Sequence, residues 1–327
     1  MPTTNVISAI RDALDEEMEA DERVIVLGED VGKIGGVFRA TAGLWQKYGD
    51  RRVIDMPIAE AAIVGVAIGA ALNGLRPVAE IQFADYIHPA FDQIVNEAAK
   101  IRYRSAGGFH CPIVVRAPAG GGIHGALYHS QSVEAYFCHA PGLKVVAPSN
   151  PYDAKGLLKA AVRDPDPVVY FEFKATYRTI EGEVPDGDYL VPIGQAAVKR
   201  PGQDLTLLTY GTMVHESLKA AEALAGEDIE VEVVDLRTLL PLDRATILAS
   251  ARKTGKVLIV HEANKTGGLG AELAAIISEE AFEYLDGPIT RLTGPDVPAM
   301  PFAPTLEAAF MPDAGKIAAA ARELDAY

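Results

Sequence analysis

Two domains of α/β type, each built on a mostly parallel sheet, are what the sequence predicts, and three observations predict it. The chain has 327 residues, more than one hydrophobic core comfortably serves. Short β-branched apolar runs alternate with stretches of helical periodicity, the rhythm of successive βα units. Between residues 177 and 192 (YRTIEGEVPDGDYLVP) that periodicity lapses and Gly, Pro and Asp accumulate. Such a change marks a linker and divides the chain into domains of residues 1–185 and 186–327.

The elements follow in order. Val6 to Met18 has apolar residues at helical spacing, with Thr3, Thr4 or Asn5 available as a cap. The runs 24–28 (VIVLG), 53–56 (VIDM) and 78–81 (VAEI) read as strands. The stretch 59–72 between the last two reads as a small-residue helix whose glycines imply close packing. A helix is expected over 89–103, then strands over 112–118, 143–149 and 168–172, with a helix opened by Pro151 over 151–164. In the second half, strands are expected at 204–210, 229–236, 256–260 and 289–293. Helices are expected near 214–225, 243–253, 270–285 and 315–325.

Composition narrows the function classes. A formal net charge of −15 disfavours nucleic acid and anionic membranes as partners, and the short cluster Arg102-Tyr103-Arg104 does not reverse that. Cys111 and Cys138 make neither a disulfide framework nor a metal knuckle. They suit a reducing compartment. The N-terminal stretch lacks the order of a signal peptide and is too acidic for a transit peptide. The longest apolar stretch, Ala61 to Leu72, falls short of a membrane span. A cytoplasmic protein is expected.

In open parallel sheets, ligands bind beyond the carboxyl ends of strands. Those positions hold Glu29 and Asp30; Glu60; Gln82, Asp85 and Tyr86; the glycines 120–122 with His124 and His129-Ser130-Gln131-Ser132; and His261 and Glu262. Each admits a plain reading. Glu60 is either a helix N-terminal acid on the dipole or a carboxylate in an apolar cleft, suited to exchange a proton with a ligand nitrogen. His129 is either part of a helix cap or an acid–base group. The glycines at 120–122 either cradle a phosphate or let a loop bend, and TGGLG (266–270) either turns around a phosphate or packs a helix N-terminus. There is no P-loop, HExxH or GxSxG motif. Carboxylates, a His, a Tyr and a Gln without metal or nucleophile make an incomplete site, of the kind that relies on an organic cofactor.

Several segments together resemble one family. GEDVGKIGGVF (28–38), DMPIAEAAIVG (55–65), RPVAEIQFADY (76–86), HSQS (129–132), PGLKVVAPSNPYDAKGLL (141–158), VVDLRTLLPLD (233–243) and HEANKTGGLGAE (261–272) resemble the beta subunits of the heterotetrameric 2-oxo acid dehydrogenases, across nearly the whole chain. The resemblance implies a transketolase-like pyrimidine-binding domain with a parallel sheet, followed by a transketolase C-terminal-like α/β domain. It implies thiamine diphosphate as cofactor, with Mg2+ and the diphosphate held by an alpha subunit in an α2β2 heterotetramer. A lipoyl-bearing dihydrolipoyl acyltransferase is the further partner.

Carried onto this sequence, the resemblance makes Glu60 the partner of the aminopyrimidine ring nitrogen. Tyr86 packs on that ring, with Ile58 and Gln82 lining the pocket and Glu29 beside the cofactor. His129 serves acyl transfer to the lipoyl group. A structural cation, usually K+, is implied near the carbonyls of Cys111, Ile113 and Val114 and the turn bearing Ala161, Asp164 and Asp166. The segments 82–105 and 129–142 are closer to the branched-chain than to the pyruvate enzymes. Pyruvate and acetoin stay open as substrates, because one methylene discriminates by only about 1–3 kcal/mol. A self-sufficient synthase would need a diphosphate domain for which the chain has no room. A scaffold or electron-transfer subunit would need neither Glu60 nor His129.

Overall fold

A computed structural model describes residues 2–327, which form two compact units. The first runs to Ala119 and resumes over Tyr136–Ile193. Its elements are β1 (Thr3–Asn5), α1 (Val6–Ala20), β2 (Val24–Gly28), α2 (Leu44–Tyr48), β3 (Val53–Asp55), α3 (Glu60–Leu72), β4 (Arg76–Glu80), α4 (Ile101–Arg104), β5 (Val114–Ala119), a short α5 (Glu134–Cys138) at the unit's border, β6 (Lys144–Val146), α6 (Pro151–Arg163), β7 (Val168–Phe173) and β8 (Glu181–Glu183). Within this unit six strands pair in parallel in the order β6-β7-β5-β4-β2-β3. Every residue of β2, β5 and β7 is buried. That explains their continuous Val, Ile and Phe rather than an alternating pattern.

Helix α1 starts where Asn5 accepts the Ser8 N–H at 3.0 Å, a standard N-cap bond. It packs its Ile10 and Leu14 side on α6, whose cap is Asn150. Glu16 bonds both Lys155 and Lys159 along that seam, and Glu17 holds Arg163 at 2.6 Å.

One expectation is revised here. The helix foreseen over 89–103 is broken into a 3-10 turn (His88–Ala90), a π turn (Gln93–Glu97), a second 3-10 turn (Ala98–Lys100) and α4. The break lies where Gly142 presses its backbone on Ala99, so closely that a Cβ there would stand 2.1 Å from the Ala99 carbonyl oxygen. The 177–192 linker stretch contains a short strand. Its β8 pairs antiparallel with β1, Thr4 opposite Gly182, and the sequence Glu-Gly-Glu carries no apolar signal for such an edge strand.

The second unit comprises Gly120–Ala135 and Gly194–Tyr327. It contains β9 (Ala197–Arg200), β10 (Leu205–Thr209), α7 (Met213–Ala225), β11 (Val231–Asp235), β12 (Thr238–Leu240), α8 (Arg244–Thr254), β13 (Val257–Asn264), α9 (Leu269–Glu280), β14 (Thr290–Gly294), α10 (Pro304–Phe310) and α11 (Ala314–Asp325). Its sheet has the order β14-β13-β10-β11-β9. All pairs are parallel except the edge pair β9–β11. Helix α9 stops five residues short of the expected 285, at Glu280, and a 3-10 turn follows over Phe282–Tyr284.

Candidate active site

In the first unit, the carboxyl ends of β2 and β3 bring acids together. Gly28 ends β2 so close to β4 that a Cβ would lie 2.6 Å from the Glu80 carbonyl oxygen. The chain then turns through Glu29 and Asp30, the latter left-handed at φ 56°. Two bonds fix this turn to the segment that carries Glu60. Met56 N–H donates to the Gly28 carbonyl at 2.8 Å, and Gly32 N–H donates to Asp55 Oδ1 at 2.6 Å.

Glu60 heads α3 behind Ala59, which has no capping side chain. Burial pushes the Glu29 carboxyl above its ordinary range, and the negative charges of Asp30 and Glu60 push it the same way. Two of the predicted residues, Glu29 and Glu60, are thus within each other's field. Gln82 joins through Asp30, its Nε2 lying 3.4 Å from Oδ2. Tyr86 stands edge-on to Phe83, and Phe83 edge-on to Phe38, an aromatic row leading from the end of β4. Ile58 is 75% exposed, unusual for a large aliphatic residue. Such a set can hold a flat heterocycle whose ring nitrogen faces a carboxylate.

Beneath lies a buried ionic cluster that sequence reasoning did not weigh. Arg116 is fully buried at the centre of the sheet. Its Nη1 donates to Glu80 at 2.6 Å, and its Nε and Nη2 donate to Glu172 at 2.6 and 3.0 Å. Tyr177 OH donates to Glu172 at 2.6 Å. Burial raises the Glu80 carboxyl against the opposing pull of Arg116. Charged residues interrupting the runs VAEI, VVRAP and VVYFE were the available signal, since such charges are buried only when paired.

Helix α3 is apolar on all sides, yet Ala62, Gly65 and Val66 are exposed. An added Cβ at Gly65 or Gly69 would meet nothing within 4 Å.

His129 belongs to the second unit, on a segment with its own anchors. Gly121 N–H donates to Glu262 at 2.8 Å, Gly122 N–H donates to Glu307 at 2.9 Å, and Tyr210 OH donates to Glu134 at 2.5 Å. His129 itself is half-buried, just after a 3-10 turn over Ala126–Tyr128. Gly121 is closely packed, while Gly120 and Gly122 are left-handed and bend the loop. A Cβ on Gly121 would stand 2.7 Å from Met300 Cε.

TGGLG resolves similarly. Gly270 N–H donates to His261 Nε2 at 3.2 Å, and a Cβ on Gly268 or Gly270 would come within 2.8 Å of the ring. Burial pushes the His261 pKa down to about 4, so the imidazole is neutral and accepts that bond.

The residues around the 161–166 turn are already engaged. Asp164 holds Lys144 at 2.6 Å, and Asp166 holds Arg102 at 2.7 Å. The carbonyls of Cys111, Ile113 and Ala161 accept the N–H groups of Ile113, Val168 and Asp164. Burial, then the Asp166 charge, pushes the Cys111 thiol up to about 12. Among the described residues, no group of three or more His, Cys, Asp or Glu is placed to hold a metal ion, and no helix is long and apolar enough to cross a membrane.

Comparison with known proteins places these features. Residues 3–179 match the family described as transketolase, pyrimidine binding domain, and residues 194–317 match transketolase, C-terminal domain. The chain is 62% identical to the 2-oxoisovalerate dehydrogenase subunit beta of Bacillus subtilis, over 99% of both chains. It is 47% identical to the pyruvate dehydrogenase E1 component subunit beta of the same organism, again over 99% of both. It is also 47% identical to the beta subunit of acetoin:2,6-dichlorophenolindophenol oxidoreductase of Cupriavidus necator, over 96% of this chain and 95% of that one. A solved structure described as a split gene transketolase, inactive beta4 tetramer, superposes with a TM-score of 0.79 at 27% identity, covering 98% of each chain.

Proposed function

The chain belongs to the family of 2-oxo acid dehydrogenase beta subunits, and from that premise we propose that, with an alpha subunit, it decarboxylates branched-chain 2-oxo acids on thiamine diphosphate. The observation that carries the site is the meeting of Glu29, Asp30 and Glu60 at neighbouring strand ends. The cofactor supplies an electron sink for the bond that breaks.

Glu60 would hold the aminopyrimidine by a hydrogen bond at its ring nitrogen. Glu29, raised by burial and by two neighbouring charges, stands beside Glu60 as a second carboxyl able to exchange a proton. Tyr86, Ile58 and Gln82 pack and orient the ring. His129 positions the lipoyl sulfur or supplies its proton during acyl transfer. Mg2+ and the diphosphate are assigned to the alpha subunit of an α2β2 assembly. The lipoyl group is assigned to a dihydrolipoyl acyltransferase, whose small basic docking domain suits a chain of net charge −15. A structural K+ would use second lone pairs on the carbonyls of Cys111, Ile113, Val114 and Ala161, beside the ion-paired Asp164 and Asp166.

Branched substrates are favoured by 62% identity to a 2-oxoisovalerate enzyme subunit against 47% for the pyruvate and acetoin relatives. The test is CO2 release by this chain co-expressed with a candidate alpha subunit, on 3-methyl-2-oxobutanoate and on pyruvate. Preference for the branched acid is expected. Preference for pyruvate would overturn the substrate and keep the site. The isolated chain is the control, and tight Mg2+-dependent binding of thiamine diphosphate to it would overturn the division of the site between subunits.

A further inference from the structure

The loop bearing His129 is bent by residues that rarely bend. Gly120 and Gly122 are left-handed at φ 83° and 81°, but so are His124 and Ala126, at φ 57° and 58°. Side-chain residues enter that region only when the surroundings hold them there. Glu262 holds Gly121, and the group holding Gly122 and His124 is Glu307, 2% exposed on α10 and more than 180 residues away in sequence. Its Oε1 accepts the Gly122 N–H at 2.9 Å, both oxygens accept the His124 N–H at 3.2 Å, and Oε2 pairs with His124 Nδ1. Further along, Gly120 N–H donates to the Gln131 carbonyl at 3.0 Å and Gln131 Nε2 donates to the Leu127 carbonyl at 3.0 Å, closing the loop at its base. Between the two clasps stand the exposed Leu127 and Tyr128, and His129 comes next.

We propose that Glu307 is a positioning residue for acyl transfer. Through Gly122 and His124 it sets the course of the 120–131 loop, and so the presentation of His129 to the lipoyl arm. The inference rests on the transfer role proposed above for His129. It adds that the second domain, through one buried carboxylate, governs the transfer half of the reaction and leaves decarboxylation to the first domain's acids.

The test uses Glu307→Gln, His124→Ala and His129→Ala in the assembled enzyme. Glu307→Gln keeps the shape and loses the charge. Two activities are compared: decarboxylation with an artificial electron acceptor, and reductive acylation of a lipoyl domain. A third measurement, chymotryptic cleavage after Tyr128 followed by mass spectrometry, reads the loop without turnover. Glu307→Gln is expected to cut about tenfold faster after Tyr128 and to acylate lipoyl about tenfold more slowly, the factor that about 1.4 kcal/mol gives, with decarboxylation within about twofold. Parallel loss in both activities, or wild-type cleavage and transfer, overturns the proposal. Should Glu307→Gln fail to assemble, the exposed His124 decides. A transfer-selective loss of about threefold in His124→Ala supports the anchor, in keeping with a partly exposed side-chain contact, and wild-type transfer removes it. Equal losses in His129→Ala would remove the underlying transfer reading. A transfer-weighted loss in His129→Ala without one in Glu307→Gln would leave that reading and remove the anchor.

Discussion

Replacing Arg116 by Met isolates what the buried ionic cluster does. The substitution is close in volume and removes three charge-assisted bonds, one to Glu80 and two to Glu172. Two carboxylates are then left in a sheet centre where both are at most 2% exposed. Breaking a buried pair from one side costs about 3–5 kcal/mol. For a unit of this size a kcal/mol moves the melting temperature by about 2–4 °C, so a fall of ~6–20 °C is expected.

The deficit should depend on pH, with a definite sign. Burial already raises Glu80 above its ordinary 4.5, while Arg116 pulls it down. Without the guanidinium only raising influences remain, namely burial and the Glu172 charge. A carboxyl raised in the folded state contributes stability below its unfolded value, and loses it as pH rises through the folded value. Arg116→Met should therefore lie closest to wild type at acid pH and fall further below it as pH rises. Thermal denaturation followed by circular dichroism at a series of pH values reads the effect. A deficit under about 2 °C, or one independent of pH, would refute the account of Arg116 as the counter-charge of a buried acid pair.

Glu60→Gln should assemble normally and lose about 10²–10⁴-fold in decarboxylation, the usual worth of a positioned proton-transfer group; full activity would remove its proton role. Gly270→Ala should destabilise the chain by about 1–3 kcal/mol in urea, because its Cβ would lie 2.7 Å from His261 Nε2. Gly65→Ala, facing open space, should stabilise the isolated chain by about 0.5–1 kcal/mol. His261 has a folded pKa depressed to about 4 from 6.5. Its contribution is full above the unfolded value and is lost as pH falls through 6.5 toward 4, and His261→Asn should flatten that slope in denaturant titrations. If K+ occupies the 161–166 turn, replacing it by choline should lower the melting temperature by a few degrees, and an unchanged value would leave Lys144 and Arg102 as the turn's only cations.

The sheet of the first unit was legible because its strands are buried on both faces and so read as plain Val and Ile runs. The placement of Glu29, Glu60 and Gln82 after strand ends was legible because each follows a short apolar run that forms a parallel strand. What escaped was set by partners distant in sequence. Nothing in Gly-Gly-Gly-Ile-His announces that Glu262 and Glu307 hold it. The β1–β8 pair is two short polar edges with no apolar alternation, and the 3-10 turn at Ala99 lies against Gly142, a residue outside the helix. TGGLG was ambiguous for the same reason, since only the imidazole of His261 shows why both glycines must lack a side chain.

The open side of α3 has a consequence for the cell. Gly65 and Gly69 weaken by about 1 kcal/mol each the very helix that Glu60 heads, and inside this chain no neighbour justifies them. A newly made chain that has met no counterpart is therefore a liability twice over. Glu60 heads an underbuilt support, and the bare Ala62, Gly65 and Val66 side offers an apolar patch for adhesion. Ribosomes that turn out this chain faster than its counterpart accumulate a sticky and idle surplus, so matched synthesis and prompt pairing become a requirement of the helix itself.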